Sequence, residues 1–212
     1  MLLEEKMKFV DELTERYAAL LPIKADICAA VEKILAAYKA GGKILIAGNG
    51  GSASDSDHIA GELIKGFLSK RVPAGEELSA LEAELGEEAV KLQRGIPAIP
   101  LPQLSGVLSA FANDVDPSLV YAQLTYALGK KGDVLIVIST SGNSVNTLKA
   151  AKCAKALGMT VISLTGESGG ALLGVSDICL RAPEKETFKV QEYHLPVYHA
   201  LCLAIEEHFF GR

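Results

Sequence analysis

Short apolar runs alternate with segments of helical spacing along most of this chain. Five of the runs are predicted to be β-strands, at 43–47, 96–101, 133–138, 160–164 and 178–180. Helices are predicted between or after them, at about 53–68, 118–129, 144–157 and 188–210. Strands that alternate with helices are typical of a parallel sheet covered on both faces. The pattern therefore predicts an α/β fold with a doubly wound, five-stranded parallel sheet.

Two further stretches of helical spacing lie outside this alternation. Before the first strand, apolar residues predict one helix to about residue 21 and a second that ends at Gly41-Gly42. Between the first helix of the sheet and the second strand, the segment 70–95 places leucines at helical spacing among six acidic residues. We expect an amphipathic helical insertion there, which either covers the core or acts as a lid or subunit contact.

Composition and charge narrow the functional classes. Hydrophobic residues make up 49% of the 212 residues and aromatic residues 6%, without Trp, which predicts an interior of Ala, Leu, Ile and Val. A formal net charge of −5 argues against a dedicated nucleic-acid binder, because contacts to the phosphate backbone need a basic face. Charged residues stand where a signal peptide would need an apolar stretch, and no run reaches the ~18 apolar residues of a membrane span. We expect a cytoplasmic protein with no membrane partner and with its four separate cysteines reduced and buried.

Two glycine- and serine-rich loops follow the first and third predicted strands. The first reads Gly48-Asn49-Gly50-Gly51-Ser52, and the second reads Ser139-Thr140-Ser141-Gly142-Asn143-Ser144. Each loop leads into a predicted helix, where free backbone N–H groups and hydroxyls meet the positive helix end and suit a phosphate. Two such loops on one parallel sheet predict a phosphorylated small molecule held between them.

Two other interpretations of these loops stay open. Gly48-x-Gly50-x-x-Ala53 fits the dinucleotide-binding pattern, but that pattern alone is a weak signal. A dinucleotide site also needs an acidic residue after the second strand, where this chain has Pro100-Leu101-Pro102-Gln103. We therefore expect no nucleotide cofactor. The simpler alternative is that both loops are tight strand-to-helix turns without a ligand.

Histidines and carboxamide or carboxylate side chains recur on two predicted helices. His58 and Glu62 lie one turn apart on the first helix of the sheet, and Gln191 and His199 lie two turns apart on the last helix. One His–Glu pair alone is more often an exposed ion pair. Two pairs on separate helices could converge on a zinc ion, for which Gln is an uncommon ligand, or provide an acid–base pair.

These motifs together resemble a known family. The chain resembles the SIS (sugar isomerase) domain family, and within it the phosphoheptose isomerases, from about residue 20 to 210 with a break at 70–95. The resemblance rests on segments that occur in the family's order, namely Gly48-Asn49-Gly50-Gly51-Ser52, His58-x-x-x-Glu62, Asn113-Asp114, Gly132-Asp133-Val134-Leu135, Ser139-Thr140-Ser141-Gly142-Asn143-Ser144, Leu164-Thr165-Gly166 and Gln191-Glu192-x-His194 through His199.

The resemblance implies a single domain over 1–212 with a flavodoxin-like sheet. It also implies a homotetramer in which the N-terminal helices, within 1–40, and the C-terminal helix pack between subunits and active sites lie at subunit boundaries. The implied reaction converts sedoheptulose 7-phosphate to D-glycero-D-manno-heptose 7-phosphate through a cis-enediol, for lipopolysaccharide heptose biosynthesis. Neither nucleic acid nor membrane is an implied partner.

The resemblance also implies roles for individual residues. Glu62 and His199 would be the catalytic acid–base pair. The implied substrate-binding residues are Asn49, Gly50, Gly51, Ser52, Asp114, Ser139, Thr140, Ser141, Ser144 and Gln191, with the serines on the phosphate and with Asn49 and Asp114 on the sugar. Some members bind zinc through the positions of His58, Glu62, Gln191 and His199, so one zinc per site is a candidate cofactor.

The chain departs from the family pattern at three places. Lys65-Gly66-Phe67 and Phe188 stand where the family commonly has an Arg and an Asp, and Pro196 lies inside the last helix, where it is expected to kink the axis. Two alternatives therefore stay open beside the heptose isomerase. One is an SIS enzyme for another sugar phosphate, and the other is a non-catalytic SIS module that senses a phosphosugar or binds a replication initiator. Such modules lack the Glu and His that this chain retains.

Overall fold

The fold is a parallel sheet with helices on both faces, as the sequence predicts. The computed structural model describes residues 7–211, so the first six residues of the predicted N-terminal region lie outside the described part. The strands are β1 (Ile44–Gly48), β2 (Ala98–Pro100), β3 (Val134–Ile138), β4 (Thr160–Thr165) and β5 (Ile178–Arg181). All four strand pairings are parallel.

The helices fill the connections between the strands. They are α1 (Lys8–Arg16), α2 (Lys24–Lys39), α3 (Gly51–Ile64), α4 (Gly75–Leu85), α5 (Ser105–Asp114), α6 (Val120–Leu128), α7 (Val145–Ala156) and α8 (Thr187–Phe210). Short 3-10 turns lie at Ala18–Ile23, Gly86–Lys91, Leu101–Gln103, Pro117–Leu119 and Gly170–Gly174. Within residues 7–211, no helix combines the length and the apolar character needed to cross a membrane.

The order of the strands across the sheet is β2-β1-β3-β4-β5. This is the flavodoxin-like order that the resemblance implies, with Ile44 opposite Ala98 on one side and Val134 on the other. From β1 the chain adds β2 on one side of the sheet and then β3, β4 and β5 on the other side, so the strand order reverses between β1 and β3. In open α/β sheets, ligands bind outside the carboxyl ends of the strands at this switch point. Both glycine- and serine-rich loops begin there.

Alternate residues of the central strands point into two separate cores. Ile44, Ile46 and Ile136 pack on the face covered by α2, α3 and α8, and their neighbours Leu45 and Leu135 pack on the face covered by α6 and α7. The strands β1 and β3 are buried along their whole length, as expected for a sheet covered on both sides. The rigid sheet therefore fixes where the two loops emerge.

Several details differ from the sequence predictions. The sequence analysis does not predict α5, although Leu108, Phe111 and Ala112 lie at helical spacing there and pack, partly buried, against the second core. The insertion 70–95 is helical, but every residue of α4 is at least partly exposed. Of the four cysteines, which are free, only Cys202 is fully buried. The helix α8 runs through Pro196 as one element, as predicted, and the kink expected at Pro196 stays a prediction.

Candidate active site

The first loop turns sharply between β1 and α3. A Cβ at Gly48 would collide with the backbone carbonyl of Ser52, and Gly50 has a φ of 55°, which favours glycine. The Tyr121 hydroxyl donates a 2.7 Å hydrogen bond to the Gly48 carbonyl. This packing places Asn49 and Gly50, which are exposed, at the beginning of α3, with Ser52 buried in its first turn.

The second loop forms a similar turn between β3 and α7. Ser144 lies at the N-cap of α7, as predicted, and its hydroxyl accepts a 3.1 Å hydrogen bond from Ser139 Oγ. The hydroxyl of Ser141 accepts from the backbone N–H of Asn143 at 3.1 Å, and Ser141 is exposed. Thr140 is half-buried between them. The loop therefore presents hydroxyl groups at the positive end of a helix.

Two asparagines join the loops to each other. Asn49 and Asn146 exchange a pair of side-chain hydrogen bonds, each 2.9 Å long. Asn146 lies in the first turn of α7, and nothing in its sequence context distinguishes it from other polar helix residues. The reciprocal amide pair fixes the spacing between the two loops, so that both face the same space at the switch point.

The structure brings together His58 and Glu62, from the helix that follows the first loop, and His199 from α8. The Nε2 atom of His58 lies 3.4 Å from Oε1 of Glu62 and 3.4 Å from Nε2 of His199. The side chain of Glu62 is 12% exposed, and its other oxygen forms a 2.6 Å ion pair with Lys65 Nζ. Lys65 is a site residue that the sequence analysis names only as part of a departure from the family pattern. The Glu62 carboxylate is thus paired with one cation.

Burial affects the protonation of His199. Desolvation lowers the pKa of His199, the neighbouring His58 lowers it further, and Glu62 opposes the shift. A histidine with a lowered pKa is neutral near pH 7 and can both donate and accept a proton. The aromatic ring of Phe67 packs on the His199 ring with centroids 5.4 Å apart. His199 therefore has the protonation state that proton transfer needs.

Of the remaining predicted residues, Gln191 joins the site and Asp114 does not. A Cβ at Gly51 would collide with the amide nitrogen of Gln191, so this side chain from α8 lies directly on the first loop. Asp114 ends α5, where it is exposed and accepts a 2.9 Å hydrogen bond from Asn113. Among the described residues, no hydrogen bond connects Asp114 to either loop. Its contact with the sugar stays a prediction.

Comparison with known proteins assigns the chain to a family. The SIS domain family matches residues 8–95 and 83–166, which together cover most of the chain. The chain belongs to the SIS domain family. Relatives of this SIS domain protein include a phosphoheptose isomerase from Burkholderia pseudomallei (strain 1710b), 38% identical over 93% of this chain and 86% of the relative. Another, from Trichlorobacter lovleyi, is 36% identical over 94% of this chain and 93% of its own length.

Solved structures give the same assignment. The structure of a phosphoheptose isomerase from Neisseria gonorrhoeae has a TM-score of 0.75 and 32% identity, over 94% of this chain and 95% of that one. A phosphoheptose isomerase from Francisella tularensis has a TM-score of 0.74 and 29% identity, over 98% and 99% of the two chains. The family and the fold that the sequence motifs imply are therefore confirmed.

The predicted zinc ligands of this SIS domain are only partly assembled. The 3.4 Å between the Nε2 atoms of His58 and His199 equals about the spacing of two ligands on one tetrahedral zinc. However, residues 7–211 contain no group of three His, Cys, Asp or Glu side chains arranged to hold a metal ion. We therefore assign no catalytic step to zinc. Zinc binding stays a prediction, which metal analysis of the purified protein checks.

A buried ion pair fastens the end of the helix that carries Glu62. The Arg71 guanidinium donates to the carbonyls of Glu62 at 3.0 Å and Leu63 at 2.6 Å, and to the carboxylate of Glu206 at 2.7 Å. Both charged side chains are almost fully buried, and Arg71 adopts a φ of 48°, which is strained for a residue other than glycine. Glu206 also accepts hydrogen bonds from the backbone N–H groups of residues 67–69. Arg71 thus links the end of α3 to Glu206 on α8.

His194 on α8 is a buried histidine with a structural role. It is 1% exposed, Nε2 contacts the carbonyl of Thr165 at 3.2 Å, and within the described chain Nδ1 has no hydrogen-bond partner. Burial lowers the pKa of His194 to about 4, and the bond to Thr165 offsets only part of this shift. His194 is therefore neutral in the folded protein at pH values where an unfolded histidine is protonated.

We expect His194 to make the protein acid-sensitive. Below pH ~6.5 the unfolded chain binds a proton at His194, whereas the folded chain binds it only near pH 4. The free energy of unfolding therefore decreases as the pH is lowered, by about 3 kcal/mol from pH 6.5 to pH 4. Urea denaturation at pH 7, 6 and 5 measures this slope. The variant His194→Gln should lose this share of the slope, and an unchanged slope in that variant would contradict the assignment.

Proposed function

We propose that this protein is a phosphosugar isomerase that interconverts sedoheptulose 7-phosphate and D-glycero-D-manno-heptose 7-phosphate. The observation that carries the proposal is the cluster of Glu62 and His199, linked through His58, on the two helices α3 and α8 that also meet at the first loop through Gly51 and Gln191. A non-catalytic phosphosugar sensor has no need of a carboxylate and a neutral imidazole at this position. The two relatives described above are named phosphoheptose isomerases, and the match covers 86% and 93% of their lengths. Their names support the same reaction.

The phosphate would bind between the two loops. The helices α3 and α7 direct their positive ends and free N–H groups to the space that Asn49 and Asn146 bridge. The hydroxyls of Ser141 and Ser144 add neutral donors on one side. A dianionic phosphate is stabilised there without a dedicated Lys or Arg in either loop. The many hydroxyl groups of the second loop also favour one terminal phosphate over the pyrophosphate of a dinucleotide.

The isomerisation needs two proton transfers at neighbouring carbons. Glu62, as base, removes a proton from C1 of the ketose, and the C–H electron pair becomes the C1=C2 double bond of a cis-enediol. His199 delivers a proton to O2 as the C2 carbonyl opens. In the second half of the reaction His199 recovers a proton from O1, the C1 carbonyl forms, and Glu62 returns its proton to C2. Lys65 balances the charge of Glu62 through the ion pair on its second oxygen. The residues needed for both transfers therefore lie on α3 and α8 of one chain.

A panel of sugars tests this function and its alternatives. We expect conversion of sedoheptulose 7-phosphate to the aldose, followed by NMR, and no detectable conversion of unphosphorylated sedoheptulose. Conversion of an N-acetylated hexosamine phosphate instead would indicate a different SIS enzyme. Calorimetric binding of the phosphosugar without any conversion would indicate the sensing module.

Removal of a phosphate-facing hydroxyl should weaken substrate binding. We expect Ser144→Ala to lower kcat/KM about tenfold to a hundredfold, mostly through KM, because a hydrogen bond to a charged group contributes about 1.5–3 kcal/mol. Steady-state kinetics with sedoheptulose 7-phosphate measure this effect. Ser79→Ala, which removes an exposed hydroxyl on α4, is the matched control and should leave KM unchanged. An equal KM in both variants would exclude Ser144 from the phosphate site.

We also propose that the protein assembles as the homotetramer that its family resemblance implies. Exposed large apolar side chains support this. Ile64 at the end of α3 and Leu68 four residues later are 50% and 72% exposed, and Phe188 and Leu195 on α8 are 56% and 41% exposed. Light scattering should give the mass of four chains, and Leu68→Glu should reduce it. A monomeric wild type would contradict the proposal.

A further inference from the structure

Asn146, in the first turn of α7, holds both loops through one carboxamide. Its Oδ1 accepts hydrogen bonds from the backbone N–H of Thr147 and from Asn49 Nδ2, and its Nδ2 donates to Asn49 Oδ1, each at 2.9 Å. Asn146 is partly buried, whereas Asn49 lies exposed in the first loop. One side chain therefore contacts the helix that follows the second loop and reaches across to the first loop.

The hydrogen bond from Thr147 determines the orientation of both carboxamides. A backbone N–H only donates, so the Asn146 atom that faces Thr147 must be the oxygen. The same oxygen accepts from the Asn49 nitrogen, and the Asn146 nitrogen therefore meets the Asn49 oxygen. Asn49 uses one N–H and one lone pair in this exchange. Its carboxamide thus has a single orientation, with its second N–H and second lone pair left for a ligand.

The amide pair joins two helix ends that would otherwise repel each other. The N-termini of α3 and α7 both carry partial positive charge, and both direct it to the space between the loops. Their first residues are Gly51 and Val145, whose backbone N–H groups form no hydrogen bond among the residues that the structure describes. A bound phosphate would offset this repulsion, but without it the carboxamides of Asn49 and Asn146 are the side chains that link the two ends.

We propose that Asn146 is a positioning residue of the phosphate site, which acts through Asn49. Its carboxamide holds the two helix ends at the spacing that one phosphate needs before the phosphate arrives, so that binding does not have to bring them together. Asn146 needs no contact with the substrate for this role. The effect on a sugar phosphate rests on the proposed isomerase function, whereas the effect on inorganic phosphate does not depend on catalysis.

A double-mutant cycle tests whether Asn146 acts through Asn49. We expect Asn146→Ala to raise KM for sedoheptulose 7-phosphate about tenfold with little change in kcat, because it removes both bonds of the amide pair. Asn49→Ala removes the same pair and should raise KM at least as much. The double variant should then have the KM of Asn49→Ala alone. A further tenfold increase in the double variant would show independent roles and overturn the proposal.

Two further variants separate the amide pair from the stability of α7. Asn146→Ser keeps a side-chain oxygen for the Thr147 N–H but cannot form the reciprocal pair with Asn49. It should therefore raise KM as much as Asn146→Ala does. The control Gln123→Ala removes a partly buried carboxamide on α6 that, in the described part of the chain, has no hydrogen bond to either loop, and it should keep the wild-type KM. A wild-type KM in Asn146→Ser would overturn the proposal.

Binding of inorganic phosphate provides a measurement that needs no catalysis. In ³¹P-NMR titrations we expect Asn146→Ala and Asn146→Ser to bind phosphate about tenfold more weakly than the wild type and Gln123→Ala. A lower thermal stability with unchanged phosphate affinity would leave Asn146 with a merely structural role and refute the proposal. If the Asn146 variants bind phosphate more weakly but the wild type converts no phosphosugar, the isomerase function fails while the positioning role stands.

Discussion

Glu62→Gln should reduce the rate of isomerisation by about 10²- to 10⁴-fold, which is the contribution of a positioned acid or base. Gln has nearly the same shape but cannot accept the proton from the sugar. Because the side chain lies at the site mouth, 12% exposed and paired with Lys65, the change should leave the fold intact. Steady-state kinetics with sedoheptulose 7-phosphate, with circular dichroism of both proteins, measure the effect.

A matched control isolates the role of this carboxylate. Glu32 is an exposed residue on α2, and Glu32→Gln makes the same chemical change away from the site. We expect wild-type kcat and KM for that variant. Loss of a catalytic base usually lowers kcat by at least about 10²-fold. If Glu62→Gln retained more than about a tenth of wild-type kcat, Glu62 would not be the base.

Glu206→Gln should destabilise the protein by about 3–5 kcal/mol, because it leaves the buried Arg71 guanidinium without its counter-charge. Burial alone would raise the pKa of Glu206, but the backbone N–H groups of Leu68 and Phe67 and the Arg71 charge lower it below its usual value. The stabilisation is therefore present above the ordinary carboxylate pKa and is lost as the pH falls through the lowered one. Guanidinium denaturation at pH 7 measures the difference.

The neighbouring residue provides the control for this ion pair. Glu207 pairs with Lys8 at 3.0 Å on the surface, so Glu207→Gln should cost less than about 1 kcal/mol. The double variant Arg71→Met with Glu206→Gln should recover part of the lost stability, since no buried charge is left unpaired. Equal destabilisation by the Glu206 and Glu207 variants would contradict the buried ion pair.

Much of the fold could be predicted from local patterns. The strands β1 and β3 are apolar runs bounded by turn residues, and their burial on both faces is what that pattern indicates. The loops after them carry the Gly and Ser residues that a sharp strand-to-helix turn requires. The α5 helix was missed although Leu108, Phe111 and Ala112 have helical spacing, because the stripe is short and only partly buried against the second core.

The candidate site was predictable in its parts and less so in its connections. Residues with distinctive chemistry, such as His58, Glu62 and His199, could be selected by type and helical spacing. Asn146 and Tyr198 could not. Asn146 contacts Asn49, which is 97 positions away in the sequence, and the Tyr198 hydroxyl contacts Asp55 and His58, which are 143 and 140 positions away. A single polar or aromatic residue on a helix carries no local sign of its partner. Such links follow only from the three-dimensional packing of α3, α7 and α8.

Solvent deuterium incorporation tests the central claim most directly. The protein is incubated with sedoheptulose 7-phosphate in D₂O, and mass spectrometry and NMR locate deuterium in the recovered sugar phosphates. Proton removal by Glu62 predicts deuterium at C1 of the ketose and at C2 of the aldose for the wild type, and none for Glu62→Gln. Substrate binding without deuterium at either carbon in the wild type would contradict an enediol isomerase.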